Sequence, residues 1–337
     1  MKEAMLYEKL SDSKVRCNLC SHRCTIKDGN YGICGVRQNR GGSLFSLVYD
    51  RIVASHIDPI EKKPLFQFYP GSRAYSIATV GCNFRCEHCQ NFDISQFPRD
   101  RNGYIVGDKM TPEEIVRQAD SSACKSIAYT YTEPTVFFEL AYETAKIANH
   151  KGIKNIFVSN GFMTPDALKE ISPYLDGINV DLKAFSERFY KEICGGRLEP
   201  VLDNIRLAKE LGIWVEVTTL IIPTLNDSQD ELQKIAEFIK DVDKDIPWHI
   251  SQFYPTHKLT TLPRTPLETL HMARETGIKT GLRYVYEGNV PGRGNENTYC
   301  YKCGELLIER WGYSIIKNKI DRGHCPSCNS SIGGFGL

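Results

Sequence analysis

The sequence predicts an α/β fold, a partial (β/α)6 barrel of the TIM type with a small cysteine-rich module at each terminus. Strand-like and helix-like segments alternate from Arg73 onward, which is typical of a parallel sheet. Of the 13 cysteines, 11 fall into three clusters, one near each end and one inside the alternating region. We therefore expect three regions: an N-terminal module at residues 1–72, a barrel at 73–290 and a C-terminal module at 291–337.

The barrel elements follow in order along the chain. The first predicted strand, residues 74–80, runs directly into the middle cysteine cluster. Thr111, Pro112 and Glu114 predict the capped start of a helix. Further strands are expected at 126–131, 155–159, 177–181, 214–222 and 248–253, and further helices at 136–150, from 164, at 200–211, 228–242 and 266–275. The first 70 residues contain frequent glycines and one cysteine cluster, and they predict a small module that is stabilised by a bound metal.

Composition and charge argue against several classes of partner. The 337 residues carry a net charge of +1, so nothing in the charge balance suggests a nucleic-acid partner. No apolar run reaches membrane-spanning length, and the N-terminus lacks the apolar segment of a signal peptide. We therefore expect a cytoplasmic protein without a membrane or nucleic-acid partner. In a reducing compartment, clustered cysteines more often bind metal than form disulfides.

Polar and sulfur-bearing residues follow the ends of the predicted strands. In parallel α/β folds the carboxyl ends of the strands carry the functional site, so we expect these side chains to gather at one mouth of the barrel. The candidates are Cys82, Glu133, Asn160, Asp181, Lys183 and His257, with His249 as a rival to His257.

The middle cluster, Cys82-x3-Cys86-x2-Cys89, supplies three thiolates. Four would close a [4Fe-4S] cluster, whereas three leave one iron free for an outside ligand. S-adenosylmethionine can chelate that iron through its amino and carboxylate groups. An electron from the cluster then cleaves the sulfonium and yields a 5′-deoxyadenosyl radical, which abstracts hydrogen. The alternative is a zinc site in which His88 is the fourth ligand.

Two stretches carry a family resemblance. Residues 81–91, which read GCNFRCEHCQN, resemble the cluster loop of the glycyl-radical-activating branch of the radical SAM superfamily, typified by pyruvate formate-lyase activating enzyme. Residues 58–65, which read DPIEKKPL, together with 68–71, look like the radical SAM enzymes of the AmmeMemoRadiSam system. The resemblance extends to about Pro255 and includes the N-terminal module.

The resemblance implies roles for several residues. Phe84 would lie by the adenine of S-adenosylmethionine, and Glu133 would address its amino group, although the two glycines that precede the family's acidic residue are Tyr131 and Thr132 here. Asp181 and Lys183 match a motif that contacts S-adenosylmethionine. Asn160 matches a Thr-Asn-Gly motif near it, and His257 matches a histidine on the ribose side.

The flanking clusters predict two further metal sites. Two knuckles, formed by Cys300 and Cys303 and by Cys325 and Cys328, indicate a zinc ribbon, with rubredoxin-like iron as the alternative. At the other end, four thiols suit zinc or an auxiliary [4Fe-4S] cluster, because each accepts four thiolates. These four are Cys17, Cys20, Cys24 and Cys34. Cys124 and Cys194 stand apart from all three clusters.

Three functions remain open from the sequence. The first is radical hydrogen abstraction from a protein, as in activating enzymes, with an electron donor such as flavodoxin or ferredoxin. The second is radical chemistry on a small metabolite, which the same barrel permits because function follows the site. The third is a non-enzymatic metal scaffold, against which the Cys82 loop argues.

Overall fold

The computed structural model describes residues 1–290, 292 and 294–337. Its strands are β1 Lys2–Glu3, β2 Tyr7–Lys9, β3 Val15–Cys17, β4 Thr25–Ile26, β5 Arg37–Arg40, β6 Ser43–Ser46, β7 Arg51–Ile52, β8 Ala54–Pro59, β9 Arg73–Ala78, β10 Asp108–Lys109, β11 Ser126–Tyr129, β12 Lys154–Ser159, β13 Gly177–Asp181, β14 Trp214–Ile221, β15 Trp248–Gln252, β16 Val285–Gly288, β17 Thr298–Tyr299, β18 Leu306–Trp311 and β19 Ser314–Asn318. Its helices are α1 Phe92–Ser95, α2 Phe97–Asp100, α3 Pro112–Ser121, α4 Phe138–His150, α5 Pro165–Ile171, α6 Glu187–Phe189, α7 Glu199–Glu210, α8 Gln229–Val242 and α9 Leu267–Thr280. Among the helices of these residues, none is long and apolar enough to cross a membrane.

An open eight-stranded sheet forms the centre of the molecule. Its strand order is β16-β15-β14-β13-β12-β11-β9-β8, and every pair is parallel except β8 with β9. The six predicted barrel strands are therefore neighbours in chain order, and β16 extends the parallel series by one. Because β8 and β16 remain edges, the barrel is partial, and the predicted α/β fold class is confirmed.

Local sequence explains how the connecting helices begin. Thr111 forms the predicted capping box, since its Oγ1 accepts from the Glu114 N–H at 3.3 Å and its own N–H donates to the Glu114 carboxylate at 2.9 Å. Thr164 and Ser228 cap α5 and α8 with one bond each, because their hydroxyls accept from the N–H groups of Ala167 and Glu231. The four residues of β11 are all buried, as expected for a strand covered on both faces.

The N-terminal module consists of two small antiparallel sheets, β1-β6-β5 and β2-β3-β4. The central sheet starts earlier in the chain than the predicted boundary at residue 72, because β8 pairs with β9 from Ala54 opposite Ala78 to Pro59 opposite Arg73. This antiparallel pairing joins segments on either side of that boundary. The module and the barrel therefore share an edge strand.

The C-terminal module is the antiparallel sheet β17-β18-β19. Its predicted start at residue 291 lies outside the described residues. Arg310, buried in β18, donates to the Phe66 carbonyl at 2.8 Å and so attaches the module to the barrel. Phe66 and Gln67 in turn donate their backbone N–H groups to the Glu216 carboxylate near the amino end of β14, each at 2.9 Å.

Candidate active site

A cavity of about 510 Å³ lies at the carboxyl ends of the parallel strands. This volume, the space open to the centre of a water molecule, falls in the usual range for small-molecule sites, roughly 300–1,000 Å³. Eight of the predicted site residues line it: Cys82, Phe84, Cys86, Cys89, Glu133, Asn160, Asp181 and Lys183. The prediction that these side chains gather at one mouth agrees with this arrangement.

The loop that carries the three cysteines is held by backbone contacts with a second loop. The N–H of Arg85 donates to the Cys194 carbonyl at 2.8 Å, and the N–H of Glu87 donates to the Ile193 carbonyl at 3.0 Å. On the other side, the Arg99 guanidinium donates to the Cys82 carbonyl at 3.1 Å. These bonds fix the loop against the barrel without using its thiols.

The spacing of the three thiols suits a cluster better than a single ion. Among the described residues, the Sγ atoms of Cys82, Cys86 and Cys89 do not all come within 4.8 Å of one another. Thiolates on one zinc ion would stand closer, about 3.8 Å apart for 2.3 Å bonds in a tetrahedron. In a cubane each thiolate binds a different iron and so stands farther from the others. Three thiols on one loop that opens onto the cavity are the donor set that a cluster with one open iron needs, so the residues present fit the cluster that the sequence predicts.

The surroundings of Cys82 hold the proton on its thiol until a metal ion displaces it. Burial, with the nearby Glu133 carboxylate, raises the pKa of the Cys82 thiol well above its ordinary value. Only the thiolate binds metal, so a bound cation has to displace this proton. The Phe84 N–H lies 3.4 Å from Cys82 Sγ and can donate to the resulting negative charge.

Glu133 is buried and its carboxylate is firmly oriented. Oε1 accepts from the Thr135 N–H, the Thr135 hydroxyl and the Ser159 hydroxyl at 3.0, 2.6 and 2.8 Å, and Oε2 accepts from the Asn160 N–H at 2.8 Å. Burial raises the pKa of this carboxyl despite these donors. The two glycines that the family motif would place before Glu133 are therefore not needed to hold its carboxylate.

Asp181 and Lys183 form a pair at the end of β13. Lys183 Nζ lies 3.0 Å from Asp181 Oδ2, and the side chains are 15% and 38% exposed respectively. Burial alone would lower the pKa of Lys183, but Asp181 and the thiols of Cys86 and Cys194 outweigh burial and raise it well above the ordinary value. The cavity therefore holds a permanently charged ammonium beside the cluster loop.

Asn160 contacts the cluster loop directly. Its Nδ2 donates to Asn83 Oδ1 at 2.7 Å and lies 3.8 Å from Cys82 Sγ. Asn83 Nδ2 is buried and has no hydrogen-bond partner among the described residues. A buried amide N–H₂ without an acceptor is costly.

Phe84 and the two histidines differ in their surroundings. Phe84 is buried against Phe162, with ring centroids 5.0 Å apart, and it lines the cavity. His257 does not line the cavity; its ring stacks on Phe92 at 4.5 Å. Its rival His249 is buried away from the mouth and bonds to Glu216 at 2.6 Å, so it has a structural partner.

Cys194 is nearer the site than sequence reasoning indicated. Its Sγ, Cys86 Sγ and a ring nitrogen of His88 lie within 4.8 Å of one another. His88 therefore does not complete a four-ligand zinc site with Cys82, Cys86 and Cys89, as the alternative required. Burial, together with Lys183, lowers the pKa of His88 to about 3, so the ring is neutral.

Lys63 is a second residue that sequence reasoning did not single out. It lies in the DPIEKKPL stretch and lines the cavity. Its Nζ bonds to Asp58 at 2.6 Å and sits 4.4 Å from the centre of the Tyr131 ring. Burial lowers the pKa of Lys63 to about 8 even though Asp58 opposes the shift. The unusual pairing of two lysines before a proline was the available sequence signal.

The C-terminal cysteines form a compact ligand set. The Sγ atoms of Cys300 and Cys328 are 3.6 Å apart, those of Cys303 and Cys325 are 3.7 Å apart, and all four lie within 4.8 Å of one another. A tetrahedral site with 2.3 Å metal–sulfur bonds requires about 3.8 Å between sulfurs. This quartet can therefore bind a single metal ion.

Comparison with known proteins agrees with the fold. Residues 76–239 match the family described as the Radical SAM superfamily. An uncharacterised protein of Methanocaldococcus jannaschii is 49% identical over 335 residues, 98% of this chain and 99% of that protein. The pyruvate formate-lyase-activating enzyme of Clostridium pasteurianum is 24% identical over 180 residues, 51% of this chain and 71% of that enzyme. The crystal structure of a radical SAM methyltransferase from Sphaerobacter thermophilus shares the fold, with a TM-score of 0.51 and 15% identity over 71% of each chain.

Proposed function

Because the chain belongs to the radical SAM superfamily, we propose that it is an enzyme that binds a [4Fe-4S] cluster on Cys82, Cys86 and Cys89 and cleaves S-adenosylmethionine reductively. One observation carries the proposal: the three thiols open onto the same cavity as the charged strand-end residues. When bound, the cluster and S-adenosylmethionine supply a carbon-centred radical that abstracts hydrogen from a substrate.

The residues of the chain bind and orient in this scheme. The free lone pair on Glu133 Oε2 accepts from the ammonium of S-adenosylmethionine, because four protein donors hold the carboxylate in place. Asp181 accepts from a ribose hydroxyl, and Lys183 donates to a hydroxyl or carboxylate. Phe84 provides an apolar edge for the adenine. His257 would address the ribose side only if it leaves its stacking partner Phe92.

For the substrate, we propose a protein whose backbone or side chain loses a hydrogen atom. The relative named pyruvate formate-lyase-activating enzyme supports this class. Lys62, Lys63 and Tyr313 also line the cavity, the last from the turn of the C-terminal module, and they offer polar groups to a peptide segment. A one-electron donor of the flavodoxin or ferredoxin type would reduce the cluster.

A small anionic metabolite is the second candidate substrate, favoured by the three lysines that line the cavity, Lys62, Lys63 and Lys183. A protein that is genetically or physically associated with this enzyme can be used as a candidate substrate to distinguish a protein substrate from a metabolite substrate. After anaerobic incubation with the enzyme, reductant and S-adenosylmethionine, a protein substrate acquires a radical or a changed mass, whereas a metabolite substrate leaves the protein unaltered.

Formation of 5′-deoxyadenosine tests the proposed reaction. Anaerobically reconstituted wild-type protein should produce it with dithionite and S-adenosylmethionine. The triple variant Cys82→Ala, Cys86→Ala, Cys89→Ala should produce none, because it lacks the cluster ligands. Cys124→Ala, which removes a buried thiol outside all three cysteine clusters, is the matched control and should retain the activity. Equal product from the triple variant would remove these cysteines from the reaction.

A further inference from the structure

We propose that Cys17, Cys20, Cys24 and Cys34 bind a [4Fe-4S] cluster, rather than zinc, and that this cluster passes electrons to the one on Cys82, Cys86 and Cys89. The relay rests on the proposed function, because it needs the second cluster as its destination. The identity of the metal does not depend on that function and is tested separately below.

The N-terminal thiols are spaced more widely than those of the C-terminal quartet. In the C-terminal quartet all four Sγ atoms lie within 4.8 Å of one another, as around a single ion. Within the described residues the four N-terminal thiols form no such group, even in threes, and in this respect they resemble the thiols of the Cys82 loop. A wide quartet fits four thiolates that bind four different irons.

A small cavity lies beside the N-terminal thiols. The four cysteines line a cavity of about 20 Å³, measured as the space open to the centre of a water molecule. A roughly spherical void about 3 Å in radius gives that value. Four sulfurs at about 2.3 Å from a zinc ion would leave no such void, because the sulfur atoms themselves fill it. The other side chains that line the cavity are both apolar, such as Leu19 and Ile26, and polar, such as Arg37.

Two N–H groups of a buried cation lack partners at the cavity, which supports a bound anionic group there. Arg37 is 2% exposed and lines the cavity. Its Nη2 bonds to both oxygens of Glu139 at 2.7 and 2.6 Å, but its Nε and Nη1 are buried without a partner among the described residues. Buried guanidinium N–H groups without acceptors are costly. Thiolates and cluster sulfides are anionic acceptors that would satisfy them.

The position of the cavity indicates an electron relay. A Cβ added at Gly81 would lie 3.4 Å from the Cys34 carbonyl, so the two cysteine loops touch. His22, which lines the cavity, bonds through Nε2 to the Asn83 carbonyl at 2.9 Å, between the first two cysteines of the Cys82 loop. On the outer side, Tyr31 and Ile33 are 40% and 50% exposed, beside Cys34.

The electron balance is simple. A flavin or iron–sulfur donor protein gives one electron to the oxidised N-terminal cluster, and this cluster then gives one electron to the cluster on the Cys82 loop. The N-terminal cluster is thereby reoxidised and no atom is transferred. Because four thiolates fill the coordination of the N-terminal irons, this cluster carries electrons rather than binding substrate.

Metal analysis of the full-length wild-type protein gives the first test. Anaerobically reconstituted protein should contain about eight irons and about one zinc per chain, with two cubanes in its Mössbauer spectrum. About four irons and two zincs would overturn the assignment. When both clusters are reduced, their electron paramagnetic signals should split or broaden, because the loops that hold them touch. Two additive, unsplit signals would overturn the relay.

Two variants assign the clusters. The triple variant Cys82→Ala, Cys86→Ala, Cys89→Ala should keep about four irons and show an unsplit electron paramagnetic signal that S-adenosylmethionine does not change. The double variant Cys20→Ala, Cys24→Ala should keep the electron paramagnetic signal that changes when S-adenosylmethionine is added. If the triple variant contains no iron, the proposal is overturned. This conclusion does not depend on whether the double variant folds. A different outcome would separate the two proposals. If S-adenosylmethionine does not change the wild-type signal while the Cys82→Ala, Cys86→Ala, Cys89→Ala variant keeps its iron, the proposed function is wrong but the N-terminal cluster is still supported.

Discussion

Charged side chains in the cavity owe their positions to partners distant in sequence. The sequence placed Glu133, Asp181 and Lys183 after strands, and the period of a parallel sheet brought them to one mouth. It did not indicate that Glu133 is buried, since Ser159 and the Asn160 N–H bond to it from the next strand. Nor did it indicate that Lys63 enters the cavity, because Asp58 and Tyr131 hold it there through tertiary contacts.

Substitution of Asp181 and Lys183 tests their proposed contact with S-adenosylmethionine. Loss of one charge-assisted hydrogen bond costs about 1.5–3 kcal/mol, roughly ten- to a hundredfold in affinity. Asp181→Asn and Lys183→Met should each weaken binding by about that factor, measured by anaerobic calorimetry, with the reduced-cluster signal retained.

Glu192→Gln is the matched control for these two variants. Glu192 pairs with Arg188 at 2.9 Å on the same chain segment, but both side chains are exposed. Exposed pairs contribute little, so this variant should bind within about twofold of the wild type. If Asp181→Asn and Lys183→Met also stay within about twofold, these residues do not contact S-adenosylmethionine.

The cluster loop is an element whose shape depends on the module before it. Gly81 has a φ of 105°, and a Cβ there would lie 2.6 Å from Val36 Cγ1. Val36 is fully buried between Cys34 and Arg37 in the chain, so it has little room to move. The N-terminal module therefore packs against the start of the cluster loop, a contact that the sequence could not reveal because Val36 and Gly81 lie 45 positions apart in the chain.

Gly81→Ala should therefore disturb this junction. The positive φ costs an alanine about 1–2 kcal/mol, and overpacking against Val36 adds about 1–3 kcal/mol. Gly212→Ala is the control, because Gly212 also has a positive φ, 77°, but nothing within 4 Å of the added Cβ. In denaturant titration, Gly81→Ala should lose more unfolding free energy than Gly212→Ala. Gly81→Ala should also show a weaker electron paramagnetic signal from the cluster that responds to S-adenosylmethionine. Equal losses in both variants would contradict the close packing at Gly81.

At the scale of the whole molecule, the regular barrel could be predicted and the connections between modules could not. Strand and helix positions follow from local period and capping, and the predicted strand at residues 177–181 agrees with β13. The antiparallel pairing of β8 with β9 joins the N-terminal region to the sheet, and no local pattern specifies it. Arg310 likewise attaches the C-terminal module through the distant Phe66 carbonyl.

The distances between the cysteine sulfurs also depend on the fold of the whole molecule. All three cysteine clusters were recognisable from the sequence, but a pattern of Cys-x2-Cys does not fix the distance between thiols once the chain folds. The separation of a compact C-terminal quartet from a wide N-terminal one depends on how β-turns and loops approach one another. Cys194 reaches Cys86 for the same reason, because the loop that carries it packs along the cluster loop.

The most direct test of the account is whether S-adenosylmethionine changes the electron paramagnetic spectrum of the reduced wild-type protein. If Cys82, Cys86 and Cys89 bind a cluster with one open iron, chelation by S-adenosylmethionine alters the environment of that iron. We predict a [4Fe-4S]⁺ signal that shifts as S-adenosylmethionine is titrated and that is absent from the Cys82→Ala, Cys86→Ala, Cys89→Ala variant. A wild-type spectrum that stays the same at saturating S-adenosylmethionine would contradict the account.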